Sequence, residues 1–131
     1  MRILIVEDNE GDQVLLRKAF HYADRQVQLN FVTTTEEAAV LLKKETVNLI
    51  LLDLNLPGKG GKDFLKEFRS DNIYRKIPIV ILTSSEAEKD ISECYSLGAS
   101  GYLTKPSNFK ELEEMVEALC HFWGKVTFAR N

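Results

Sequence analysis

The sequence predicts an α/β protein: a doubly wound parallel sheet of five strands, covered on both faces by five helices. Three observations predict it. Aliphatic runs without alternation recur at Arg2-Ile3-Leu4-Ile5-Val6, Leu49-Ile50-Leu51-Leu52 and Ile77-Pro78-Ile79-Val80-Ile81-Leu82, the pattern of strands buried on both faces. Segments with helical spacing separate the strands, so right-handed crossovers must carry the chain from one parallel strand to the next. The strands end in polar residues, at Glu7-Asp8, Asp53, Thr83 and Lys105, and in a parallel sheet all these ends lie along one edge. Two sheet orders are common for such chains. The shorter, 2-1-3-4-5, has its switch point between strands 1 and 3.

The elements follow in order. The first strand leads into Glu7-Asp8-Asn9, where Asn9 or Asp8 can cap a helix over about 10–22. Val14, Leu15, Ala19 and Tyr22 mark its apolar side. Val27 to Val32 alternates imperfectly and reads as an edge strand. Thr34 and Glu37 form a capping box for a helix with Ala38, Leu41 and Leu42 at helical spacing. Then comes the Asp53 strand, closed by Pro57-Gly58. The loop Gly58-Lys59-Gly60-Gly61 precedes a helix over about 62–70 carrying Phe64, Leu65 and Phe68. Pro78 stands at the start of the fourth strand, where its missing donor is tolerated. Ser85 and Glu88 form a second capping box before a helix with Ala87, Ile91, Cys94 and Tyr95, closed by Gly98. Ser100 to Thr104 is a short fifth strand. Asn108 and Glu111 cap the last helix, whose stripe is Leu112, Met115, Val116, Leu119, Phe122 and Trp123.

The totals bound the function. A chain of 131 residues with 44% hydrophobic and 28% charged residues suits one domain with one core. A net charge of −3 leaves no basic footprint for nucleic acid. Cys94 and Cys120 fall at apolar helical positions and fit neither a disulfide framework nor a zinc site. No apolar run approaches the roughly 20 residues of a membrane span, and the N-terminus lacks a signal-peptide pattern. A cytoplasmic protein with reduced cysteines is expected.

Chemistry concentrates at the strand ends. In the 2-1-3-4-5 order Glu7, Asp8 and Asp53 converge. Like charges about 4 Å apart repel by roughly 4 kcal/mol at an effective dielectric of 20, so a proton or a cation must relieve them. An all-oxygen donor set favours Mg2+ or Mn2+ over zinc. An aspartate nucleophile, a divalent cation, the Thr83 hydroxyl and the Lys105 ammonium together make a site for a phosphoryl group, with Asp53 as the acceptor.

This constellation resembles the receiver domains of bacterial response regulators. The matching stretches are Ile3-Leu4-Ile5-Val6-Glu7-Asp8-Asn9, Leu51-Leu52-Asp53-Leu54-Asn55-Leu56-Pro57-Gly58, Ile81-Leu82-Thr83-Ser84, and Gly98-Ala99-Ser100-Gly101-Tyr102-Leu103-Thr104-Lys105-Pro106. The resemblance implies a flavodoxin-like receiver fold over 1–131 with no output domain. It implies Asp53 as phosphoacceptor, Asp8 as a direct Mg2+ ligand, Glu7 as a ligand mainly through water, and the Asn55 backbone carbonyl as a further ligand. It also implies Thr83 and Tyr102 as a switch pair, with Tyr102 rotating inward on phosphorylation, Lys105 as the phosphate partner, and a cis Lys105–Pro106 bond. Many receivers have Asp where Glu7 stands. Further stretches, among them Tyr74-Arg75-Lys76-Ile77-Pro78 and the closing Phe122-Trp123, resemble the single-domain regulators associated with cyanobacterial phytochromes. A sensor histidine kinase of phytochrome type is the implied partner, the output is protein contact or onward phosphotransfer, and a two-fold homodimer is expected through the face between the fourth and fifth helices and the C-terminal tail. A haloacid-dehalogenase-type phosphatase also combines Asp, Mg2+, Thr and Lys. It places its nucleophile on the first core strand in Asp-x-Asp, whereas here the acceptor follows the third strand and Asn55 stands two residues on. A signalling phosphoacceptor rather than a metabolic enzyme is therefore expected.

Overall fold

Aliphatic runs and amphipathic segments alternate along the chain, and the computed structural model, which describes residues 1–129, turns them into alternating strands and helices. The order is β1 (Arg2–Val6), α1 (Glu10–Ala23), β2 (Gln28–Val32), α2 (Thr35–Lys44), β3 (Leu49–Leu52), α3 (Gly61–Ser70), β4 (Ile79–Thr83), α4 (Glu88–Ser96), β5 (Gly101–Thr104) and α5 (Phe109–Trp123), with one 3-10 turn at Tyr74–Lys76. The last two residues of the expected domain 1–131 lie outside the described residues. All strand pairs are parallel and the sheet order is β2-β1-β3-β4-β5. This is the shorter of the two expected orders, with β2 at an edge.

Successive strand residues point to opposite faces, and each face has its own core. Leu4, Val6, Ile50, Leu52, Ile79 and Ile81 pack under α2, α3 and α4 against Ala38, Leu42, Phe64, Leu65, Phe68 and Cys94. Ile3, Ile5, Leu49, Leu51, Val80 and Leu82 pack under α1 and α5 against Leu16, Ala19, Phe20, Leu112, Val116, Leu119 and Cys120. Burying each such aliphatic side chain contributes about 1.5–3 kcal/mol. Both cysteines are buried and free.

Three caps form as the sequence predicts. Asn9, Thr34 and Asn108 accept from the backbone N–H of Asp12, Glu37 and Glu111 at 2.9, 3.1 and 2.9 Å. Other expectations fail for identifiable reasons. The buried side of α1 is Leu16, Ala19 and Phe20, while Val14, Leu15 and Tyr22 are exposed. Leu16, Ala19, Phe20 and Ala23 recur at i, i+3, i+4 and i+7, and it is this stripe that packs on the sheet beside α5, leaving Val14 on the polar side and Leu15 and Tyr22 at its margin. Ser85 does not cap α4. The helix starts at Glu88 with Ala87 in the cap position, so Ser85 stands two residues too early: its hydroxyl donates to Asp90 at 2.5 Å and accepts from the Ala87 N–H at 3.3 Å, in the turn before the helix. In α5, Cys120 rather than Phe122 continues the buried side. At about 100° per residue Phe122 falls off that face, and it is 61% exposed.

Candidate functional site

Strand register builds the site. Val6 is level with Leu52, so the next residues, Glu7 and Asp53, leave the sheet side by side. The ladder continues one step past the strands. Glu7 N–H donates to Val32 O at 2.9 Å, Asp53 N–H to Val6 O at 3.1 Å, and Lys105 N–H to Thr83 O at 2.8 Å. The backbones of the strand-end residues are thereby fixed. Gly61, at the start of α3, donates to Leu54 O at 3.2 Å. A Cβ there would stand 2.6 Å from Asp53 O, so only glycine lets α3 close against the Asp53 turn.

The predicted acids converge. Carboxylate oxygens of Glu7, Asp8 and Asp53 lie within 4.8 Å of one another. Glu7 and Asp53 are buried and Asp8 is exposed. Lys105 reaches over them. Its Nζ is 2.6 Å from Glu7 Oε1, 2.8 Å from Asp12 Oδ2 and 3.1 Å from Asp53 Oδ2. Asn55 N–H donates to Asp53 Oδ1 at 3.3 Å, and Asn9 N–H to Glu7 Oε2 at 3.2 Å. Thr83 is fully buried, and its Oγ1 accepts from Ser85 N–H at 3.5 Å.

The Lys105–Pro106 bond is trans, as are all peptide bonds among the described residues. The expectation of a cis bond is therefore overturned. Trans is the ordinary preference of an X–Pro bond, and the long lysine side chain spans to the carboxylates with its backbone in that form. Tyr102 packs against the α4-side core and its hydroxyl donates to Ser85 O at 2.9 Å. The ring is half-buried in this position.

The two buried acids differ in their electrostatics. Burial pushes the Glu7 carboxyl up to about 7, and the Asp53 charge adds to the rise, against the opposing pull of Lys105 and the Asn9 N–H. Burial also opposes ionisation of Asp53, but the Lys105 charge, the Asn55 N–H and the Thr83 hydroxyl outweigh it, and the carboxyl falls below its usual range. For Lys105, burial disfavours the charge, while hydrogen bonds to Asp12 and Glu7 more than restore it, leaving the ammonium held above its ordinary range. Asp53 is therefore ionised, and Glu7 is the acid whose charge is resisted.

Three carboxylates, Glu7, Asp12 and Asp53, thus surround one ammonium. The group of Glu7, Asp8 and Asp53 suits a divalent cation. Its donors are all oxygen, and exposed Asp8 leaves an open side where a hard cation can keep water. Sequence reasoning missed Asp12. An acid in the first turn of a helix reads as a partner of the helix dipole, and nothing in the sequence links it to Lys105, which lies 93 positions away.

A parallel 2-1-3-4-5 sheet, with acids at the adjoining ends of β1 and β3 and a lysine reaching them from β5, defines a receiver. Residues 3–117 match the response regulator receiver domain, and the chain belongs to that family. It is accordingly a signalling phosphoacceptor and not a metabolic enzyme. Among individual proteins it is similar to response regulator Rcp1 of Synechocystis sp., with 35% identity over 128 residues, covering 92% of this chain and 87% of that protein. Its fold is similar to the crystal structure of the phosphorylated cyanobacterial phytochrome response regulator RcpA, with a TM-score of 0.90 and 34% identity over 98% of each chain. The Mn2+-bound form of Rcp1 superposes with a TM-score of 0.88 and 34% identity, over 98% of this chain and 99% of that one. No helix among the described residues is long and apolar enough to cross a membrane.

Proposed function

We propose that this chain is a stand-alone response regulator that accepts a phosphoryl group on Asp53 from the phosphohistidine of a sensor histidine kinase. The observation that carries the reading is the meeting of ionised Asp53 with Lys105 and the Glu7–Asp8 acids at the ends of neighbouring strands. An Asp53 carboxylate oxygen attacks phosphorus in line. The bond from phosphorus to the histidine nitrogen breaks, and its electron pair stays on the imidazole. The product is an acyl phosphate. Lys105 moves from the Asp53 carboxylate to a phosphoryl oxygen, and the Thr83 hydroxyl donates to another. Both positions are pre-organised by the ladder bonds above, as phosphoryl transfer by positioning and charge neutralisation requires. Glu7, Asp8, Asp53 and the Asn55 backbone carbonyl would hold Mg2+, or Mn2+ as in the Rcp1 structure. The cation would neutralise charge gathering on the phosphoryl oxygens.

The phytochrome regulators among its relatives support a kinase of phytochrome type as partner, acting in the cytoplasm. Thr83 and Tyr102 form the switch. Ser85 joins them, through its N–H to Thr83 Oγ1 and its carbonyl to the Tyr102 hydroxyl, so movement of Thr83 toward a phosphoryl oxygen alters the α4–β5 surface. Together with α5 that surface, with exposed Tyr95 on α4 and Phe122 on α5, suits a two-fold homodimer. Phe128 stacks on Trp123 at 6.3 Å between ring centroids and is half-buried.

Acetyl phosphate with Mg2+ should add one phosphoryl group to the protein by intact-mass spectrometry, and Asp53→Asn should block the addition. Equal labelling of the variant would remove Asp53 from its role.

A further inference from the structure

Lys105 has three ammonium protons and three carboxylate partners. Two of the partners, Glu7 and Asp53, also belong to the acid group suited to a cation. Asp12 does not. Its carboxylate stands 2.8 Å from Nζ, outside that group, on the first turn of α1. Its backbone is anchored, because its N–H donates to the Asn9 side chain at 2.9 Å. Its side chain is 37% exposed and that of Lys105 only 17%. The pair therefore sits at the mouth of the pocket, half shielded from solvent.

We propose that Asp12 is a positioning residue that holds the Lys105 ammonium over the pocket when a divalent cation takes the oxygens of Glu7 and Asp53. This inference rests on the proposed cation site. A cation entering the pocket needs the same oxygens the ammonium now uses. With Asp12 present, the ammonium yields them and keeps one charged partner, poised beside Asp53 for an arriving phosphoryl oxygen. Without Asp12, the ammonium has only Glu7 and Asp53 to pair with. It then competes directly with the cation and stays closed over the nucleophile.

The role acts through Lys105, which separates it from the general attraction of an acid for a cation. Two readouts test it. In the cation-free protein, the 1H–15N signal of the Lys105 ammonium should shift and exchange faster with solvent in Asp12→Ala, and Asp12→Glu should restore it. In Mn2+ titrations by calorimetry, Asp12→Ala should weaken affinity roughly two- to fivefold, the range of a partly exposed ion pair. In a Lys105→Met background the same substitution should change nothing further, as a double-mutant cycle demands of a coupled pair. A Lys105 signal indifferent to Asp12 would overturn this inference alone, as would an equal loss of Mn2+ affinity in both backgrounds. Wild-type protein that binds no Mn2+ would bring down the cation site, and this inference with it.

Discussion

The strands of this protein are one material along their length and another at their tips. In β1 and β3 every residue from Ile3 to Val6 and from Leu49 to Leu52 is aliphatic and at most 1% exposed. One residue further on, each strand becomes an acid that is still buried. The same removal from water stabilises Val6 and Leu52 and works against the charge of Glu7 and Asp53. What rescues Asp53 is placement. Lys105, the Asn55 N–H and the Thr83 hydroxyl bring its carboxyl below the ordinary range, while Glu7, less well served, rises to about 7. Fold and function therefore draw on opposite consequences of one burial. The interior should carry stability, and the tips should carry chemistry at little or negative benefit to stability.

Substitutions can break or sharpen that contrast. The largest loss is expected in the interior. Phe64 is 1% exposed and stacks on Phe68 with ring centroids 4.0 Å apart, so Phe64→Ala should cost about 3–5 kcal/mol in urea unfolding. A loss below about 1 kcal/mol would show that this face of the sheet does not carry the fold.

At the tip the sign should reverse. The Glu7 carboxyl rises in the folded state from 4.5 to about 7. Between these values the native protein binds more protons than the unfolded chain, so stability falls as pH rises through that window. The penalty is absent below the lower value and complete above the upper one, and it amounts to at most about 3 kcal/mol. Glu7→Gln should therefore raise the melting temperature at pH near 8 in EDTA and leave it nearly unchanged near pH 4. A variant less stable than wild type at the higher pH would contradict the contrast.

Smaller effects refine it. Asn108 lies just past the Lys105 tip, yet it caps α5 through Glu111 N–H. Asn108→Ala should cost about 1 kcal/mol by denaturant titration with phosphorylation retained. That would separate helix capping from chemistry within one loop. Asp8 is exposed, so Asp8→Ala should change stability by less than about 0.5 kcal/mol. Calorimetric titration of the same variant should nonetheless show Mg2+ binding lost. Unchanged Mg2+ binding would take Asp8 out of the cation site.

Some of this protein was determined by sequence alone. Unbroken aliphatic runs such as Leu49-Ile50-Leu51-Leu52 place a strand between two covering layers, because only a strand buried on both faces has no use for alternation. An acid following such a run marks the sheet edge where Glu7, Asp8 and Asp53 meet. Short-range hydrogen bonding is equally local, so the Asn9, Thr34 and Asn108 caps were legible too. Tertiary structure decided the rest. Helix α1 carries an apolar arc wider than the buried stripe, and packing took Leu16, Ala19 and Phe20 from it while Leu15 and Tyr22 stayed exposed at its margin. Ser85 had the spacing of a cap, but the helix begins only at Glu88, and Ser85 instead ties the preceding turn to Asp90 and the Ala87 N–H. Lys105 met Asp12 across the fold, with a trans bond at Pro106. The physical reason is range. Backbone propensity and burial are set by near neighbours in the chain, whereas a long charged side chain takes whichever partner the packed elements bring within about 3 Å of its end.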